Sequence, residues 1–360
     1  MQRLLFHEVK ITSTDANYEA LRKAVDPSTE HGRLLRNSVR VLNYTLSPGS
    51  PGIPAYKATS WEKRLPVALK LFPYLYELRI NIDAVYDLSP SVIRALDNGT
   101  PPIRALQIGM RSHPTRTTDR SSVPLQLLHI SSWPLEAIVL RGDRWAIESF
   151  NNFPPIKHQF YEVRWLCPQP LYGSSGPCLK YLTSNSSTSL RILHVPDVDH
   201  ILPEWTHTLR SVVLTEANSS VLQQLPQLPL LRELLICGPG YRIDVETELS
   251  TLATLPPKLE HLGFIMTLPE VTFSTLSKAI VSLPQTIRGL SLYIPSNPVA
   301  RDAVARANAR ETVALIGSKD HFPNVSVDLY EGPVPSRVGQ VMRYFGLFRI
   351  NADDAASGRI

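Results

Sequence analysis

The sequence predicts an α/β repeat solenoid, with a parallel inner sheet and outer helices. Three observations carry that prediction. A short apolar pattern recurs along the 360 residues, its best copies stand 19 to 28 residues apart, and helix-like segments closed by proline fill the gaps.

The pattern is an apolar residue, two variable positions, a second apolar residue, one variable position and a third. It occurs as Leu75-x-x-Leu78-x-Ile80, Ile103-x-x-Leu106-x-Ile108, Leu125-x-x-Leu128-x-Ile130 and Leu135-x-x-Ile138-x-Leu140. It returns as Leu190-x-x-Leu193-x-Val195, Leu209-x-x-Val212-x-Leu214, Leu231-x-x-Leu234-x-Ile236, Leu259-x-x-Leu262-x-Phe264 and Ile287-x-x-Leu290-x-Leu292. Val39-x-x-Leu42-x-Tyr44 is an early relative and Phe160–Trp165 a weaker one. The last two apolar positions lie two apart, so a strand aims both at one face. Starts at 190, 209, 231, 259 and 287 are separated by 19, 22, 28 and 28 residues, the period of a leucine-rich repeat of irregular length. One unit cannot bury its apolar face alone, but stacked units share a continuous core. The repeat is expected to fill residues 38–300.

Between strands, Ser220–Leu225, Glu246–Leu255 and Phe273–Leu283 carry apolar residues at helical spacing and end at Pro226, Pro256 and Pro284. The 31 prolines are expected to punctuate short elements and to stay out of helix interiors. Residues 46–60, 111–122 and 166–189 read as polar or Pro/Gly/Ser-rich loops. A helix over 301–317, a last strand through Val325, Val327 and Leu329, and a helix over Val338–Phe348 are expected to cap the array within 301–350; 351–360 reads as a frayed tail.

Composition narrows the function. Net charge is +5, from 37 basic and 32 acidic residues, and the basic residues form no run along the chain. That pattern argues against nucleic acid, whose neutralisation takes clustered cations. No stretch reaches the roughly 18 apolar residues that span a bilayer. The opening MQRLLFHEVK lacks the apolar core of an export signal, so an intracellular place, cytoplasm or nucleus, is expected. Cys167, Cys178 and Cys237 match no zinc spacing, and His194, His200 and His207 are six and seven apart, unlike the four of a helical zinc pair. No phosphate loop and no nucleophile elbow occurs; Gly238-Pro-Gly240 reads as a turn, since Pro239 has no amide to donate. The expectation is a non-enzyme with no cofactor and no metal.

The opening Leu4–Ile11 and the phrase Phe72-Pro-x-Leu75-x-x-Leu78-x-Ile80, echoed by Leu228-Pro229 before Leu231–Ile236, resemble the leucine-rich-repeat region of the F-box proteins of mushroom-forming fungi. The resemblance covers residues 1–330 and rests mostly on repeat grammar. It implies that residues 1–37 hold the end of an F-box and its linker. It also implies a substrate-recognition role in a cullin ubiquitin ligase, with a Skp-type adaptor bound if an F-box lies upstream. The alternative is a repeat scaffold unconnected to ubiquitin.

In either case a protein target would meet the concave sheet face. The residue between the paired apolar positions points there, giving a column of Arg79, Gln107, His194, Val213, Leu235, Gly263 and Ser291, flanked by Glu77, Glu233, His261 and Tyr293. The exposed apolar residues expected in its C-terminal part would be a protein contact. On this reading, aspartate at Leu235 and Tyr293 removes partner capture and leaves the fold intact.

Overall fold

A computed structural model describes residues 8–11, 15–46, 55–82, 87–110, 123–141, 153–166, 176–195, 199, 201–214, 224–236, 255–265, 272–296, 303–317 and 324–333. The chain divides into two compact units, Met1–Ser186 and Ser187–Ile360.

In the first unit, β1 (Glu8–Ile11), β2 (Val41–Leu46), β3 (Glu77–Ile82), β4 (Ala105–Met110), β5 (Ala137–Arg141) and β6 (Glu162–Leu166) stand in chain order, each parallel to the next. The register aligns the motif. Leu42, Leu78, Leu106, Ile138 and Val163 form one line and Tyr44, Ile80, Ile108, Leu140 and Trp165 a second, none more than 2% exposed. Each such side chain contributes about 1.5–3 kcal/mol by leaving water. Parallel neighbours need a crossover, and helices supply most of them. These are α1 (Asp15–Ala24) and α2 (Glu30–Ser38), then α3 (Ala55–Lys70), α4 (Pro90–Asp97) and α5 (Val123–Leu128); α6 (Gly176–Leu182) follows β6. Helix α1 packs on α2, and α3 packs on both α4 and β2.

The second unit repeats the plan with β7 (Ile192–Val195), β8 (Ser211–Leu214), β9 (Glu233–Ile236), β10 (His261–Ile265), β11 (Gly289–Ser296) and β12 (Ser326–Pro333). Leu193, Val212, Leu234, Leu262 and Leu290 form its inner line, each at most 1% exposed. The short gaps before β8 and β9 hold 3-10 turns at Pro203–Trp205 and Leu225–Gln227; α7 (Phe273–Ser282) and α8 (Ala303–Gly317) serve β11 and β12. Helix α7 packs on α8, and α8 on β12. Strand β1 does not pair with β6, nor β7 with β12, so neither array closes on itself.

Where the chain enters β3–β6 and β8–β11, one carbonyl of the preceding repeat accepts two amides. Arg40 O takes Tyr76 N at 2.8 Å and Glu77 N at 2.9 Å, and Arg191 O takes Arg210 N at 2.8 Å and Ser211 N at 3.0 Å. These bonds satisfy backbone groups at the sheet's rim and fix each repeat's register before its strand begins.

Several expectations are corrected. Leu125–Ile130 is not a strand: Val123–Leu128 is helical, and Ala137–Arg141 is the strand. Copies starting ten residues apart leave no room for a crossover. The stretch 46–60 is not all loop, because Leu46 ends β2 and Ala55 opens α3; likewise α6 lies inside 166–189. Pro66 stands inside α3, against the rule that prolines stay out of helices. The expected strand at Phe160–Trp165 is β6, and α7, α8 and β12 stand close to where they were expected. Of Ser220–Leu225 only the end is described, as a 3-10 turn. Of Glu246–Leu255 only Leu255 is described, and 111–122 and Val338–Phe348 lie outside the described residues.

Helix ends carry local reasons. Thr29 caps α2: its backbone is extended and its Oγ1 accepts Gly32 N at 3.0 Å. Ser89 precedes α4 with Pro90 at the first turn, and Gly99, at φ 83°, takes the left-handed turn that follows. Thr29→Ala should cost about 1 kcal/mol, read as a lower urea midpoint; an unchanged midpoint would mean water replaces the cap at no cost.

Candidate recognition face

Strands β3 and β5 of the first unit alternate. Along Glu77–Ile82 the burial runs half-buried, buried, half-buried, buried, half-buried, buried, the mark of a strand with one packed face and one wetted face. The wetted face is a polar grid. Register places Lys10, Asn43, Arg79 and Gln107 on one line and Glu8, Val41 and Glu77 on the next. Arg79 Nε donates to Glu77 Oε1 at 2.6 Å, and its Nη1 reaches over β2 to Glu8 Oε2 at 2.9 Å. Val41, between them in the ladder, is 4% exposed. Burial works against the Arg79 charge, but Glu77 and Glu8 more than offset it and hold the guanidinium above its ordinary value. Asn81 Nδ2 donates to Asn43 Oδ1 at 3.1 Å. A Cβ at Gly109 would stand 2.6 Å from Asn81 Oδ1, so the glycine leaves room for that amide.

A related pair lies on β6. Arg164 Nε is ion-paired with Glu162 Oε1, and their side chains are 1% and 6% exposed. Glu162 shares the ladder line of Glu77, and Arg164 that of Arg79. The same Glu-x-basic step opens β1 as Glu8-Val9-Lys10.

The second unit departs from expectation. Its column is in register as predicted, from His194 through Val213, Leu235 and Gly263 to Ser291. It is not open: His194, Val213 and Ser291 are 0% exposed and Leu235 1%. A patch of exposed apolar residues is therefore corrected to a buried layer. Aspartate at Leu235 would place a charge inside it and destabilise the unit, so that substitution does not isolate binding from folding. The side chain of Tyr293 lies outside the described residues; its backbone pairs with Ile265 and Tyr330.

Glu233 and His261 are half-buried at the rim of this layer. His261 Nε2 shares a hydrogen bond with Ser291 Oγ at 2.8 Å, and a Cβ at Gly289 would collide with the His261 ring. Burial pushes the Glu233 carboxyl up to about 7; the nearby Ser211 hydroxyl pulls down and Glu260 pushes up. The Ser291 hydroxyl is enclosed, so this serine–histidine contact offers substrate no approach.

Among the described residues there is no group of three or more His, Cys, Asp or Glu placed to hold a metal, and no helix is long and apolar enough to cross a membrane. Cys178 is buried and its thiol pushed up to about 12 by that burial, the opposite of an activated nucleophile. His129 shares a hydrogen bond with Tyr181 Oη at 3.0 Å and stacks on Phe153. Burial, then His158 and Lys157, hold its ring below the usual histidine value. That reads as packing. No family model and no curated protein matches this chain.

Of the predicted recognition residues, the sheet thus brings Arg79 and Gln107 together on a wetted face, with Glu8, Asn43 and Asn81 added. Glu8 was missed because nothing local ties it to position 79, 71 residues on.

Proposed function

We propose that this chain is a protein-binding leucine-rich-repeat module that holds its target on the polar face of β1–β4. The observation that carries the reading is the Glu8–Arg79–Glu77 and Asn43–Asn81 grid, fixed on neighbouring strands by hydrogen bonds of 2.6 to 3.1 Å. Polar side chains held on a rigid sheet lose little freedom on binding, which lowers the entropic cost of recognition. The repeated motif and its 19- to 28-residue period support the repeat family.

The resemblance at Leu4–Ile11 and Phe72–Ile80 adds the assembly in which this module works. It is the substrate-recognition part of an F-box-type subunit of a cullin ubiquitin ligase, in cytoplasm or nucleus, and itself carries no catalytic residue. Affinity purification at native level from its own cells, followed by mass spectrometry, tests this. Recovery of a Skp-type adaptor and a cullin is expected. Reproducible recovery of other proteins without them would overturn the ligase role and leave an interaction scaffold.

A further inference from the structure

The basic residues that form no run in the sequence form a row in the second unit. Each repeat there presents one residue on the rim, just before its strand. Arg210 N donates to Arg191 O at 2.8 Å, Arg232 N to Arg210 O at 2.8 Å, Glu260 N to Arg232 O at 2.8 Å and Arg288 N to Glu260 O at 2.7 Å. The rim therefore reads Arg, Arg, Arg, Glu, Arg on five successive strands. Arg210, Arg232, Glu260 and Arg288 are exposed and Arg191 is half-buried. Rim side chains reach one another, since Arg232 Nη1 stands 3.5 Å from Glu260 Oε1.

The first unit is the internal contrast. Its rim holds Arg40, Tyr76, Arg104, Glu136 and Tyr161, and Arg104 is ion-paired with Glu136. Its formal charge, two arginines against one glutamate, is +1; the second unit's rim carries four against one, or +3. Neighbouring rim residues are about 4.8 Å apart, the spacing of paired strands. That is inside the screening length of about 8 Å at physiological salt, so their fields add.

We infer that this rim docks an acidic, extended segment of a protein partner. Every cation in it is arginine, whose planar fork binds carboxylate in two-point fashion where lysine offers a point charge. Five strands span about 19 Å, the length of about six extended residues. Glu260 decides between polyanions. A nucleic-acid backbone has no cation to set against it, whereas a peptide supplies one lysine or arginine among its acids. The inference rests on the protein-binding reading above and adds a second, chemically distinct contact to it.

The test uses the full chain and a fluorescein-labelled peptide of alternating Glu and Ser with one central Lys, followed by fluorescence anisotropy. Oligo(dT) of equal length and phosphatidylcholine/phosphatidylserine vesicles are the competing probes. The peptide should bind, lose affinity as salt rises, and lose about tenfold or more in Arg210→Glu/Arg288→Glu. Arg40→Glu, on the other rim, should bind as wild type. Arg210 and Arg288 are exposed and Arg40 is half-buried, and matching thermal melts check that the fold is kept. Equal affinity in the charge-reversed protein would overturn the inference, as would tighter binding of oligo(dT) or vesicles. Failure of the peptide while the wild-type chain still captures protein from cells would sink this inference alone. Loss of all protein capture would sink the reading beneath it.

Discussion

Arg164→Ala should lower the stability of the chain by about 3–5 kcal/mol, because it leaves the Glu162 carboxylate buried without its ion-pair partner. The pair is enclosed, so water cannot replace the lost guanidinium as it could at an exposed pair. The penalty belongs to the stranded charge more than to the lost attraction. Replacing both residues with apolar ones of similar size, Glu162→Leu/Arg164→Met, should therefore cost much less than either single change. Urea unfolding followed by tryptophan emission reads this directly, with Trp165 next in the chain and 2% exposed. A single substitution that costs under about 1 kcal/mol, the range of exposed pairs, would show that the pair is hydrated in solution.

The second large effect is at Glu233. Its folded value of about 7 lies above the ordinary 4.5. Between those two values the unfolded chain has lost this proton while the folded chain keeps it, so stability falls as pH rises through the window. Full burial would make the loss about 3 kcal/mol at 1.36 kcal/mol per unit; the half-buried carboxyl should give about 2. Glu233→Gln keeps the size of the side chain and cannot ionise. It should raise stability at pH 8 by about that amount and flatten the slope between pH 4.5 and 7. The same slope in wild type and variant would assign the titration to another group.

The sequence told the two sheet faces apart only in part. Apolar positions two apart in Leu78/Ile80 or Leu234/Ile236 marked one packed face, and the ladder puts those residues in line. The other face was misread in the second unit, although a signal was present. Strands β8 and β9 read Ser-Val-Val-Leu and Glu-Leu-Leu-Ile, with apolar residues on both faces, whereas β3 reads Glu-Leu-Arg-Ile-Asn-Ile. Unbroken apolar runs belong to strands buried on both sides. Val213 and Leu235 follow that rule and lie in the buried layer.

The polar grid and the basic rim were beyond local reading for another reason. Arg79 and Glu8 are 71 residues apart. The rim arginines at 191, 210, 232 and 288 are 19, 22 and 56 apart in the chain. Each follows the first apolar residue of its motif, as in Leu190-Arg191 and Leu231-Arg232. The repeat register, not proximity in the chain, makes them neighbours. Once copies are aligned on the motif, a column at its second position becomes visible; counting charges along the chain cannot reveal it.

The central claim, recognition of protein by the polar face of β1–β4, is tested most directly by one paired comparison. Wild type and Arg79→Gln/Asn81→Ala/Gln107→Ala are expressed at equal level in the protein's own cells, purified gently, and their co-purifying proteins quantified by mass spectrometry. With matching thermal melts, the variant should lose about tenfold or more of the partners that wild type recovers. A well-folded variant that recovers the same proteins in the same amounts would contradict the account and remove this face from the binding surface.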